Sequence, residues 1–395
     1  MADLPLSSEP LREHSGHGPS ARPARAEPGT HPDLPPPRLS VGALGWIRAN
    51  LFGGWVNSAL TILTLFLIIQ LLPPVFDWLV THSVVDAGSR AECWQKMSEA
   101  GHPHGACWAV ISHRILQFTF GFYPEGERWR PVLAFVLMFV AVYPILFDRA
   151  HFRRPLLWFS AAYPFIAYEL VYGALFLPSV ETRQIGGFLL TLMIGVPCIL
   201  VSLPLGVMLA LGRRSDLPII RSLSVVFIEF IRGVPLITLL FVADTMLNYF
   251  LPPGTEFDKL LRVQIMVALF SSAYLAEVVR GGLQAIPRGQ YEAADALGLD
   301  YWQGMRLIVL PQALKISIPG IVNTFIGLYK DTTLVYVIGM LDPLGISRPV
   351  LSDTSWQGLS SEVYVFLALF YFMSCFLMSR YSIYLERRLD TGYRQ

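Results

Sequence analysis

The sequence predicts an all-α membrane protein with about eight transmembrane helices, each a run of roughly 17 to 25 apolar residues. Composition is the first observation behind this. Hydrophobic residues make up 53% of the 395 residues and charged residues 15%, well below the roughly 25% charged of soluble domains. The second is the recurrence of apolar windows, at 55–76, 131–147, 155–177, 186–211, 234–251, 263–279, 316–329 and 362–385. The third is their punctuation by arginine: connections holding Arg149, Arg153 and Arg154, then Arg213, Arg214 and Arg221, then Arg280, Arg288 and Arg306, alternate with connections poor in cations. Because Arg and Lys accumulate on the cytoplasmic side of short loops, this alternation, with Arg387 and Arg388 in the tail, puts both termini in the cytoplasm.

Residues 1–45 are a different material. Pro5, Pro10, Pro19, Pro23, Pro28, Pro32 and Pro35 to Pro37 stand among Ser, Gly, His and Arg, and such a segment buries too little apolar surface to offset its ordering entropy. A disordered cytoplasmic arm is expected. It contains no apolar stretch of the kind found in a cleavable signal, so the first helix is expected to act as the signal anchor.

The segment 77–130 is too long for a simple connection and falls on the outer side. It contains Cys93 and Cys107, whereas Cys198 and Cys375 lie in apolar windows. An oxidising compartment permits a disulfide between the first two, contributing about 3 kcal/mol by loop closure; two free thiols are the alternative. His102, His104 and Cys107 complete no regular ligand spacing, and no metal is expected.

Between the sixth and seventh windows lies a polar insertion, 286–311, whose caps are legible. Pro287 suits a first helical turn, Gln290 to Leu297 are mostly helix formers, and Gly298 stands where a helix end wants positive φ. Asp300 is placed to cap a second helix, along which Trp302, Met305, Arg306 and Val309 recur at helical spacing before Pro311 redirects the chain. Two short helices are expected to stand out from the membrane, with Glu292 and Asp295 on the first and the aromatic-apolar stripe on the second.

The run Glu292-Ala293-Ala294, three residues, Gly298, nine residues, then Ile308-x-Leu310-Pro311 resembles the EAA loop of permease subunits of bacterial ABC importers. Glu229-Phe230-Ile231-Arg232-Gly233-Val234-Pro235-Leu236 resembles a box of the polar amino-acid permeases. So do 273–282, leading into the loop, and Lys330-Asp331-Thr332-Thr333-Leu334 after it, with Thr333 where that family usually has Ser. The resemblance covers about 186–388, and the N-terminal extension is similar to that of general L-amino-acid permeases.

The resemblance implies a type I ABC-importer permease core of five helices at 181–395, preceded by a three-helix extension at 46–180. It implies that the 286–311 loop docks on an ATPase subunit through Arg288, Tyr291, Glu292, Ala293, Ala294, Asp295, Gly298, Trp302, Ile308 and Pro311. The implied partners are a second, related permease, an ATP-binding subunit dimer holding ATP and Mg, and a periplasmic amino-acid-binding protein, all at a bacterial inner membrane. The solute would be a polar L-amino acid, moved by alternating access; another small polar solute, or ion-coupled transport, is the alternative.

Ionisable groups in apolar segments are functional candidates because a bilayer makes them costly. Lys330, Asp331, Thr332 and Thr333, at a helix containing Pro and Gly, offer partners to both charges of an amino acid, or else cap the helix break; Asp244 is the other candidate on the solute path. Glu277 with Arg280 and Glu229 with Arg232, beside Gly233 and Pro235, are expected to form ion pairs that transmit motion from the loop. None of Lys96, Lys259, Lys315 and Lys330 follows a glycine, so no phosphate-cradling G-K-[ST] loop exists. G-x-S-x-G and H-E-x-x-H are absent too. With a net charge of +1 there is no basic stripe for nucleic acid. The chain is expected to contact membrane lipid and not to be an enzyme.

Overall fold

A computed structural model describes residues 42–102, 104–146, 153–173, 175–246, 249, 252 and 257–389. The expected arm at 1–45 lies almost wholly outside them. The chain forms two units, Met1–Val75 and Phe76–Gln395. The first carries α1 (Gly42–Leu51) and the start of α2 (Trp55–Phe76), whose side chains are all unburied.

In the second unit the helices are α3 (Arg90–Glu99), α4 (Ala109–Phe120), α5 (Trp129–Leu146), α6 (Arg153–Tyr172), α7 (Gly187–Arg213), α8 (Pro218–Gly233), α9 (Leu236–Phe241) and α10 (Lys259–Gln284). They are followed by α11 (Arg288–Ala296), α12 (Tyr301–Gly304), α13 (Leu310–Asp331), α14 (Pro343–Ser352) and α15 (Ser360–Leu389). Among the described residues, five helical runs are long and apolar enough to cross a membrane, or six if α8 and Leu236–Met246, bent by 101°, count as one. The expected spans at 131–147 and 155–177 correspond to α5 and α6, which are not among those runs.

Within the expected 234–251 span the chain bends at Pro235, and α9 with a π-helical turn, Val242–Met246, forms one helical run, Leu236–Met246, among the described residues. Two expectations need correction. Pro311 does not redirect the chain, because α12, a second π-helical turn (Met305–Val309) and α13 make one helical run, Tyr301–Ile338. Proline lacks an N–H and its ring presses on the carbonyl four residues back, and widening the preceding turn to i→i+5 accommodates both. The stripe at Trp302, Met305, Arg306 and Val309 does not share one exposed face: Met305 and Val309 are buried in a cluster with α7, α8 and α10, while Trp302 and Arg306 are exposed.

At the centre, α10 packs along α7 and α13. Lipid offers no hydrophobic drive between helices, so close packing must hold them together. Gly206 on α7 supplies it: a Cβ there would come within 2.7 Å of the Leu275 Cβ and 3.1 Å of the Ser272 carbonyl. Ser317 donates to the Val278 carbonyl at 3.3 Å, joining α13 to α10.

Residues 77–130 form a helical cap. Cys93 and Cys107 are disulfide-bonded with Cα atoms 5.9 Å apart, and both are fully buried in a cluster with Met97, Val110, Ile346, Trp356 and Val363. That cluster seats α3 and α4 on α14 and the start of α15. Arg114 pairs with Asp353, and the Cys107 N–H donates to the Glu362 carboxylate at 3.3 Å. Behind the cap, buried Arg130 donates to the Leu170 and Pro178 carbonyls at 2.7 and 2.9 Å, capping the end of α6. Glu169 accepts backbone N–H groups from Leu175, Phe176 and Leu177.

Candidate functional site

The 286–311 loop is built on local rules and then fastened to the membrane helices. Gly298 adopts φ +70°, and an added Cβ there would meet nothing within 4 Å, so its backbone conformation alone selects glycine. Its N–H donates to the Asp295 carbonyl at 2.9 Å and that of Leu299 to Ala294 at 3.2 Å, the paired bonds that close a glycine-terminated helix. Asp300 and Gln303 then form a reciprocal capping box at the start of α12. Ala294 is buried where α11 meets Gly304, while Arg288, Glu292, Ala293 and Asp295 face outward.

Fastening comes from three directions. Met305, Val309 and Ala313 join Ala210, Ile228, Ala276, Val279 and Leu283 in one buried cluster. Arg214, at the end of α7, donates to the Leu283 carbonyl at 3.1 Å and to the Tyr291 hydroxyl at 3.2 Å. Gln312, next to Pro311, bridges the Gln290 side chain and the Ile308 carbonyl at 2.9 and 2.8 Å. What stays uncovered is an apolar ridge: Leu297 is 73% exposed, Tyr301 57%, Trp302 68% and Leu307 65%.

Directly beneath, one carboxylate gathers three cations. Glu277 lies 2.9 Å from Arg213, 2.8 Å from Arg280 and 3.8 Å from Arg232, and Arg213 also reaches Glu229 at 2.8 Å. The expected pairing of Glu229 with Arg232 is replaced by this hub, which joins the C-terminal ends of α7, α8 and α10. Sequence reasoning passed over Arg213, which was read only as a topology signal. Gly233 and Pro235 set the turn beyond it.

The solute-path candidates lie apart from the loop. Thr332 and Thr333 donate back to the Tyr329 and Lys330 carbonyls at 2.7 and 2.8 Å, so in this state both hydroxyls close their own helix. Lys330 is exposed and Asp331 half-buried. Asp244 is not isolated: Lys259, at the start of α10, lies 3.1 Å from it and also donates to the Ile338 carbonyl. Lys259 thus links the broken α9 segment to the turn after α13, a role no local motif announces.

A family model, the binding-protein-dependent transport system inner membrane component, matches residues 202–391. Across 91% of this chain and 96% of the relative's length, the sequence is 49% identical to BztC, a glutamate/glutamine/aspartate/asparagine transport system permease protein of Rhodobacter capsulatus. The chain belongs to the amino-acid ABC-transporter permeases. It is also 48% identical to the inner membrane amino-acid ABC transporter permease protein YhdY of Escherichia coli, over 92% of this chain and 97% of that one. A solved structure, described as an amino acid ABC transporter with histidines, covers 50% of this chain and 90% of its own at 32% identity and a TM-score of 0.45. The permease is a membrane-spanning transport component and not an enzyme. Its family works with ATPase and substrate-binding partners, and permease subunits of this kind carry no cofactor themselves.

Proposed function

We propose that this permease imports polar L-amino acids across a bacterial inner membrane, with both termini cytoplasmic, driven by an ATPase dimer that binds ATP and Mg and grips the 286–311 loop. The observation that carries this reading is the uncovered ridge of Leu297, Tyr301, Trp302 and Leu307 on a loop rigidly fastened beneath. Exposed aromatic and aliphatic side chains on a preorganised support are what a partner's groove buries. Arg288, Glu292 and Asp295 would form the polar rim of that interface.

Closure of the ATPase pair would then push on α11 and α12. Through Arg214, Tyr291 and the Glu277 hub the push reaches α7, α8 and α10, which rock between outward-facing and inward-facing states. ATP must favour one state by several kcal/mol for the shift to be complete. A second, related permease completes the path, a periplasmic amino-acid-binding protein delivers solute, and Asp244, Lys330, Asp331, Thr332 and Thr333 line the route. The extension at 46–180 and the core at 181–395 are proposed as the two functional divisions. The substrates in the name of BztC favour the acidic amino acids and their amides as solutes.

The test is radiolabelled uptake of an amino-acid panel by the complete transporter in vesicles. Uptake requiring both internal ATP and the binding protein supports the reading; uptake driven by an ion gradient alone overturns it.

A further inference from the structure

The helix α10 runs without proline from Lys259 to Gln284, and its two ends are tied down differently. The end next to the 286–311 loop carries Glu277, held by three arginines. About 27 Å away along the same axis, at 1.5 Å per residue, Lys259 opens the helix and lies 3.1 Å from Asp244. The Lys259 ammonium also donates to the Ile338 carbonyl, and Arg262, one turn on, donates to the Asp244 carbonyl at 2.7 Å. Beside them Asp258 caps α10 and accepts from the Thr182 hydroxyl.

Three separate segments meet at this ion pair. Asp244 lies in the π-helical turn Val242–Met246, beyond the 101° bend that follows α8, and a π turn is a place where regular helical bonding is already interrupted. Ile338 ends the turn Thr332–Ile338, directly after Lys330 and Asp331. The α9 segment packs on that turn, its Leu236 and Leu240 sharing the core cluster with Val335 and Ile338. The side chains of Lys259 and Asp244 are 34% and 21% exposed, so water competes for both charges. An ion pair in that setting holds weakly, and it can part and re-form within each transport cycle.

We propose that Lys259 and Asp244 form a latch that closes the solute route at the end of α10 remote from the loop, and that ATP-driven tilting of α10 opens it. This rests on the alternating-access reading given above. Glu277 and Lys259 belong to one uninterrupted helix, so a push that reaches the Glu277 hub displaces Lys259 as well. Asp244 is connected to α8 through the Pro235 bend and so need not follow. Parting the two releases the α9 segment from the start of α10 and from the 332–338 turn. It also leaves one carboxylate and one ammonium uncovered, the counter-charges of an amino acid's own ammonium and carboxylate.

The assembled transporter is treated with a water-soluble carbodiimide, which condenses a paired carboxylate and amine into an amide, first without nucleotide and then trapped with ATP and orthovanadate. The Asp244–Lys259 cross-link, quantified by peptide mass spectrometry, should fall about tenfold in the trapped state, as a shift of population to the open form requires. The Glu92–Lys96 pair, at 2.8 Å within α3, should link equally in both states and serves as the internal standard. Asp244→Asn should raise ATPase activity in the absence of binding protein several-fold, and Asp244→Glu should not; if the first variant fails to assemble, the cross-link decides alone. A cross-link of equal yield in both states, absent from both, or confined to the trapped state would overturn the latch, as would equal ATPase rates in the two variants. ATP-dependent uptake by the unmodified complex would then still uphold the import reading, whereas uptake without ATP would overturn both.

Discussion

The Arg213 guanidinium lies 2.9 Å from the Glu277 carboxylate and, on its other side, 2.8 Å from Glu229. One arginine at the end of α7 thus holds two acids from α8 and α10. Glu277 adds Arg280 and Arg232 to the same knot, immediately above the buried cluster that carries the loop.

Glu277→Gln should leave three cations without their shared anion. The pairs are partly buried, so the loss should lie between the exposed and the buried limits, on the order of 2 kcal/mol. ATP-driven uptake should fall about tenfold while membrane insertion, followed by protein yield, is retained. Arg232→Lys, at the longest distance of the three, should be mild by comparison, and equal defects in the two variants would remove the hub from the transmission path.

Gly298→Val should abolish coupling. A β-branched residue at φ +70° costs roughly 1–3 kcal/mol, and there is open space around the position, so the defect would come from the backbone alone. Gly298→Asn should then retain most uptake, because asparagine tolerates this conformation. Comparable loss in both variants, read by binding-protein-stimulated ATPase activity, would point to a contact instead.

Reducing the 77–130 cap should loosen it. Both sulfurs are buried, so a maleimide should label Cys93 and Cys107 only after reductant and partial unfolding. Cys93→Ser with Cys107→Ser should lower the cap's stability by about 3 kcal/mol, measured as earlier proteolysis of the 77–130 segment on heating.

Asp342 should make stability depend on pH. Its carboxyl caps α14, accepting from Gly345 at 2.8 Å, yet burial pushes it up to about 7 from an ordinary value of 3.8, against the pull of the Gly345 and Leu344 N–H groups. A raised folded-state value means that the contribution is fully present below about pH 4, where both states are protonated. It is lost as pH rises through about 7. Asp342→Asn keeps a capping oxygen and should flatten the thermal stability of the complex between pH 4 and 7. A slope unchanged by the substitution would assign it to another group.

Features with local causes are legible in the residues alone. Apolar windows declared a membrane protein because a bilayer demands long uncharged runs, and Gly298 and Asp300 declared the ends of α11 and α12 because a cap depends on residues a turn apart. The spacing of Glu292, Ala293, Ala294 and Gly298 marked the loop for the same reason. Packing sets what depends on distant neighbours. It gave Glu277 its partner Arg213 and Asp244 its partner Lys259, and it carried the helix through Pro311 by widening the turn before it. Packing against α7, α8 and α10 buries Met305 and Val309 and leaves Trp302 and Leu307 outside. An ion pair or a buried face is set by which segments pack together, and in this chain the packing of α7, α8, α10 and α13 selects among partners that each segment's own residues leave open.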